Sequence, residues 1–160
     1  MKISTKSRYA VRIMINLAEQ YTLGHIPARV IAETENLPAK YMESILSSLL
    51  KNQLIIVARG THGGYKLALP PEQINVLQII RASETSTQIA PCLNENYSCP
   101  KKACCVSTDL WNLVQSTIDE LLVNITLVDL LRMQEKKTDE PSLYLMHMAK
   151  LQKLHNNMKA

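Results

Sequence analysis

Residues 27–69 read PARVIAETENLPAKYMESILSSLLKNQLIIVARGTHGGYKLAL, and this stretch decides the fold. Pro27 suits the first position of a short helix over about residues 27–35, because its φ is already helical and no intrahelical N–H is lost there. Val30 and Ile31 are its inward residues. Glu35-Asn36-Leu37-Pro38 is a turn. A longer helix then runs from Ala39 to about Asn52, with Met42, Ile45, Leu46, Leu49 and Leu50 on one face. A short helix, a tight turn and a longer helix make a helix-turn-helix. Leu54-Ile55-Ile56-Val57 is a strand, Ala58 to Gly64 a turn holding three of the chain's four glycines, and Tyr65 to Leu69 a second strand. A hairpin directly behind a helix-turn-helix is a wing.

Working outward, Ser4 or Thr5 can cap a first helix in which Ala10, Ile13, Met14, Leu17, Ala18 and Tyr21 recur at helical spacing, and Gly24 ends it. Asn75 can cap a helix that turns Val76, Ile79 and Ile80 inward. Residues 85–106 are irregular. A long helix comes next, from about Asp109 to Val123. Trp111, Val114, Ile118, Leu121, Ile125 and Val128 alternate spacings of three and four, the pattern of a helix that pairs with another helix. Thr126 and Asp129 form a capping box for a last short helix. The expected organisation is a winged helix-turn-helix over 1–70, a connecting helix and cysteine-rich loop over 71–106, a pairing helix and short helix over 107–134, and a tail over 135–160. The fold class is mainly α with a small β-hairpin.

Of the 160 residues, 46% are apolar, enough for a core, but only 4% are aromatic and none is Phe. The core must therefore be built from aliphatic side chains. No window approaches the roughly 20 apolar residues of a membrane span, and the start carries no apolar run of a signal peptide. The expectation is a cytoplasmic protein with no membrane partner. Residues 1–67 hold nine Lys/Arg and four Asp/Glu, a balance of +5, whereas residues 68–160 hold nine and ten, a balance of −1. A positive head joined to a neutral segment is what a nucleic-acid-binding domain requires. No Ser-His-Asp set, phosphate loop or paired carboxylates suggest an enzyme.

A major groove admits an α-helix. Opposite its apolar stripe the third helix offers Lys40, Tyr41, Glu43, Ser44, Ser47 and Ser48. Lys40 and the serines are phosphate or base partners, and Glu43 can accept from a cytosine amine. Arg59 beside Gly60 at the hairpin tip can enter a narrow minor groove. Lys6, Arg8 and Arg29 can contact the backbone, and His62 either touches phosphate or is a solvated turn residue. Taken singly, most of these are also ordinary exposed residues.

The four cysteines, Cys92, Cys99, Cys104 and Cys105, all lie within 14 residues. In a reducing compartment such clustering points to metal binding or redox sensing rather than structural disulfides. Structural zinc is disfavoured because the usual two C-x₂₋₄-C pairs are missing. A metal-free thiol switch at the adjacent Cys104 and Cys105 stays open beside a cluster.

The opening Met1-Lys2-Ile3-Ser4-Thr5-Lys6-Ser7-Arg8-Tyr9-Ala10-Val11 resembles that of the Rrf-type iron–sulfur cluster regulators, the family that includes the IscR, NsrR, RirA and CymR proteins. Tyr41-Met42-Glu43, Leu50-Lys51-Asn52-x-Leu54, Arg59-Gly60-x-x-Gly63-Gly64-Tyr65-x-Leu67, and Leu110-Trp111 with Asn124-Ile125-Thr126-Leu127 carry the likeness onward to about residue 133. The resemblance implies a transcription regulator, mostly of repressor type. It implies a homodimer paired through the long helix, a palindromic operator and, in many members, a cluster held by three cysteines. A [2Fe–2S] cluster is expected ahead of [4Fe–4S]. The last family cysteine stands six residues before the Trp, which selects Cys92, Cys99 and Cys105 as ligands. The family's two known fourth-ligand positions hold Thr108 and Arg8 here, so Cys104 or Thr108 is left as the fourth. The same fold could instead serve a thiol-switch or partner-controlled regulator of sulfur or cysteine metabolism.

Overall fold

The computed structural model describes residues 3–60, 63–101 and 104–136. Helix α1 spans Thr5–Glu19, α2 Ala28–Glu35 and α3 Ala39–Lys51; strands β1 Ile55–Ala58 and β2 Gly64–Leu67 come next; then α4 Val76–Ser83, α5 Val106–Val123 and α6 Leu127–Lys136. The expected winged helix-turn-helix with a long C-terminal helix is present.

The apolar stripe of α1 explains its position. Ala10, Ile13, Met14 and Leu17 are at most 1% exposed, and the helix packs against α2, α3, α4, α6 and β2. Ser4 starts it, its hydroxyl accepting from Ser7 N–H at 3.1 Å. The α2–α3 turn closes because Asn36 adopts φ 51°, a left-handed value that Asn tolerates, while Leu37 N–H reaches Ala32 O at 3.0 Å and its side chain is buried. β1 and β2 pair antiparallel from Ile55↔Leu67 to Ala58↔Gly64. Ile26 adds a third short edge through two 2.8 Å bonds with Tyr65. That close approach requires Gly64, where a Cβ would sit 2.3 Å from Ile26 O.

The head is closed from the C-terminal side. Val76 N–H donates to Ile125 O and Leu127 N–H to Ile74 O, each at 2.9 Å. Ile74, Ile79, Ala82 and Leu127 join the same core as α1 and α3. Thr126 and Asp129 form the expected capping box, and Asn75 forms another with Gln78.

Several boundaries differ from the sequence reading. Pro27 is the residue before α2, not its first, and lies at ψ 141°, where its carbonyl still accepts the first helical bond from Val30 and Ile31. Val30 is 38% exposed, because α2 has one narrow buried stripe and Ile31 occupies it. Both strands differ at their ends: β1 runs one residue later, to Ala58, and β2 begins one residue earlier, at Gly64, and stops two earlier, at Leu67. The long helix begins at Val106 rather than Asp109, so Cys105 belongs to its N-cap and not to a free loop. The tail, with His147 and His155, lies outside the described residues beyond 136.

Candidate nucleic-acid interface and cysteine loop

The core side of α3 orients its other side. Met42, Ile45, Leu46 and Leu49 are at most 1% exposed, which turns Lys40, Glu43, Ser44 and Ser47 to solvent. Neither α2 nor α3 has a side-chain N-cap, since Pro27 and Pro38 precede them. Their first-turn N–H groups therefore have no local side-chain acceptor, the arrangement that suits a phosphate. Arg59 and Gly60 are both exposed at the hairpin turn, and Gly60 takes φ 108°. His62 lies outside the described residues.

The remaining basic residues are not equivalent. Arg8 is exposed and donates to Thr5 Oγ1 at 3.1 Å. Arg29, with 87% of its side chain exposed, pairs with Glu33 at 3.2 Å. Lys6 is engaged within the fold: its Nζ donates to Ser48 Oγ on α3 at 2.7 Å. Tyr41 is half-buried and meets Tyr9 edge-on, with centroids 6.1 Å apart. Both belong to the seam between α1 and α3, beside the solvent-facing groups.

Sequence reasoning missed two acidic residues that tie α1 to α2 and to α4. Arg12 Nε lies 2.7 Å from Glu35 Oε2, and its guanidinium covers the Tyr9 ring at 5.3 Å. Glu35 is buried, and Oε2 has no aligned hydrogen-bond partner, so the contact is an ion pair by proximity alone. Glu84, at the C-cap of α4, accepts from Ser4 N–H at 2.9 Å and Ser7 Oγ at 2.5 Å. Burial opposes its ionisation. The Ser7 and Ser4 donors and the Lys6 charge outweigh burial and hold the carboxyl below its ordinary pKa. No local pattern signals either contact, since each joins residues far apart in the chain.

The cysteines sit between α4 and α5. Cys92 lies in a single 3-10 turn, Pro91–Leu93, and Cys105 caps α5. Cys92, Cys99 and Cys105 are half-buried, Cys104 is exposed, and all four are free thiols. The buried Thr108 sits in the first turn of α5. Its hydroxyl, then its main-chain N–H, favour the thiolate of Cys105 and lower that thiol's pKa. Four soft donors on one loop suit an iron–sulfur cluster in kind. Among the described residues, no three Cys, His, Asp or Glu side chains stand together as a ligand set.

Helix α5 buries only Thr108. Val114 and Ile118 are half-buried in a groove they share with Trp111, Ile89, Ala90 and Pro91, and Leu121, Ile125 and Val128 are also half-buried. Val106, Leu110, Leu113 and Val123 are more open, from 45% to 80%. Among the described residues no helix is long and apolar enough to cross a membrane.

A family model described as Rrf2, iron-dependent transcriptional regulator, matches residues 3–133. The chain belongs to the Rrf2 family of transcriptional regulators. This Rrf2 regulator is 33% identical over 131 residues to the HTH-type transcriptional regulator IscR of Aliivibrio salmonicida, covering 82% of this chain and 77% of that one. The structure of T. potens IscR superposes with a TM-score of 0.66 at 32% identity, covering 91% of this chain and 96% of that chain. CymR, the global cysteine regulator of B. subtilis, superposes with a TM-score of 0.67 at 35% identity, covering 81% and 95%. The Aliivibrio relative is named as a transcriptional regulator and the B. subtilis one as a cysteine regulator.

Proposed function

We propose that this Rrf2 regulator is a cytoplasmic homodimer that binds a palindromic operator in double-stranded DNA, mainly as a repressor. An iron–sulfur cluster on Cys92, Cys99 and Cys105 sets its affinity, reporting iron, redox or cluster status. The observation that carries the DNA reading is the outward face of α3. Lys40, Glu43, Ser44 and Ser47 stand exposed on a helix whose opposite face is sealed into the core, with Arg59 exposed on the wing beside it. Arg8 and Arg29 provide exposed backbone contacts, and Tyr41 and Lys6 brace the helix along its flank. A bound cluster would supply redox chemistry and a rigid joint. The chain's own part is to present thiolates: Thr108 favours that form at Cys105, and Cys104 or Thr108 is the nearest additional donor in sequence. Half-sites must be about one helical turn (~34 Å) apart or a multiple, so a small change in the spacing of two heads removes the fit. The exposed apolar residues of α5 support pairing of two chains.

Arg59→Ala should weaken binding to a duplex selected by the unsubstituted chain by about tenfold, within the 1–3 kcal/mol of a base or groove contact. Its melting temperature should not change. Anaerobic purification should give a brown protein with iron and sulfide, and Cys92→Ala, Cys99→Ala or Cys105→Ala should lose both. Undiminished iron and sulfide in all three variants would remove the ligand assignment.

A second reading is favoured by the lowered thiol pKa at Cys105 beside the adjacent thiol of Cys104. In it two thiols form a disulfide, and the two protons and two electrons reduce a peroxide to water and alcohol. Equal DNA affinity with and without iron, together with loss of affinity on peroxide treatment, would select this metal-free form.

A further inference from the structure

The cysteine loop begins at Thr85, directly after Glu84, and Glu84 is the point where that loop is fastened to the first helix. Its carboxylate receives Ser4 N–H at 2.9 Å and Ser7 Oγ at 2.5 Å. Ser7 is fully buried, and its hydroxyl also meets Ser83 Oγ at 2.8 Å. Ser83 Oγ in turn lies 2.9 Å from Ile79 O and 3.0 Å from Ile80 O, so this corner is tied to the last turn of α4. On the other side of the same turn of α1, Lys6 Nζ reaches Ser48 Oγ on α3 at 2.7 Å, and Ser48 Oγ is 3.2 Å from Ser44 O. The first turn of α1 is therefore held between the start of the cysteine loop and the flank of the groove-entering helix.

We propose that Glu84 is a latch: through Ser4 and Ser7 it couples the position of the cysteine loop to α1, and through Lys6 and Ser48 to α3. Three features separate a latch from ordinary packing. The contacts are polar and directional, so they hold one register and are lost by a small displacement. Ser7 is buried, so releasing Glu84 takes the charged acceptor from a buried hydroxyl and leaves it only the weaker, neutral Ser83 Oγ. Glu84 itself is only half-buried and stands at the end of a short helix, where movement of the adjoining loop acts on it first. Glu84 touches neither the proposed DNA face nor a cysteine; it is a positioning residue.

The inference rests on the reading that the cysteine loop controls DNA affinity, and the test separates the two. The full-length Glu84→Gln and Ser7→Ala chains are compared with the unsubstituted chain in two measurements. The first is amide hydrogen exchange of the metal-free, reduced protein. The latch requires faster exchange in residues 4–8 and also in the last turn of α3, residues 48–52, with β1 and β2 unchanged. Acceleration confined to residues 4–8 and 83–85 would make Glu84 a local tie and overturn the proposal. The second is affinity for a duplex selected from a random library by the unsubstituted chain, measured with the protein loaded with iron and sulfide and again after their removal. The unsubstituted chain should show a ratio between the two states that falls at least threefold in Glu84→Gln, while all forms keep the fold by circular dichroism. An unchanged ratio in Glu84→Gln overturns the latch. No ratio in the unsubstituted chain overturns the sensing reading instead, and hydrogen exchange then still decides whether α4 and α3 are coupled.

Discussion

Thr108 shows how one buried side chain sets the chemistry of its neighbour. It lies within the first turn of α5, its N–H bonds Cys105 O at 2.9 Å, and its donors favour the Cys105 thiolate. A lowered thiol pKa means that more of the reactive thiolate is present at any pH below the ordinary thiol value. In the metal-free reduced chain, Cys105 should thus keep reacting with iodoacetamide as the pH is lowered below that value. Thr108→Val, nearly the same shape without the hydroxyl, should move the midpoint of the rate–pH curve upward. Mass spectrometry of the peptide carrying Cys105 reads this directly; an unmoved midpoint would mean that the hydroxyl plays no part. Thr108 is legible in the sequence as a candidate ligand position. Its role as a donor to Cys105 is not, because that depends on where the helix begins.

The elements are set largely by their ends and stripes, and the ends are the less legible part. Helix α3 stops because Gln53 takes φ 57° and Leu54 N–H turns back to Leu49 O at 3.1 Å. A left-handed backbone costs an L-residue with a Cβ on the order of 1 kcal/mol. Glycine removes that cost but adds entropy to the unfolded chain. Gln53→Gly should therefore stabilise the fold by about 0.5 kcal/mol net, visible as a raised urea midpoint with unchanged slope. A lowered midpoint would show that the Gln53 side chain contributes more than the strained backbone costs. Alternating or three-four apolar spacing reports which face of an element is buried, so α1, α3 and the hairpin can be placed from the sequence. It does not report the last turn. The sequence reading starts α5 three residues late, since Val106-Ser107-Thr108 carries no strong helix signal and is helical through its continuity with residues 109–123.

At the scale of the molecule, the described residues leave one helix largely uncovered. Among the described residues α5 is the longest helix, at 18 residues, yet Val106 is 80% and Leu113 65% exposed. In the proposed pairing these side chains leave water when two chains meet. Leu110→Glu with Leu113→Glu would place charges in that contact. Sedimentation should then show a shift from dimer to monomer at micromolar concentration, and operator affinity should fall at least tenfold because one head reads only one half-site. A dimer unaffected by the double substitution would confine the pairing surface to the stripe of Trp111, Val114 and Ile118 expected from the sequence, where residues 89–91 cover part of the helix.

By itself the sequence determined the order of elements, the winged helix-turn-helix and the faces of its helices, and it marked the cysteine loop as the chemically distinct segment. Those properties arise from local periodicity, capping and turn preferences, which act over a few residues. Only the tertiary structure decided that Lys6 is turned toward Ser48, that Arg12 meets Glu35, and that Glu84 closes on Ser4 and Ser7. Partners 23 to 80 positions apart leave no periodic trace in the chain; they are selected when packing of α1 against its neighbours brings polar groups within bonding distance.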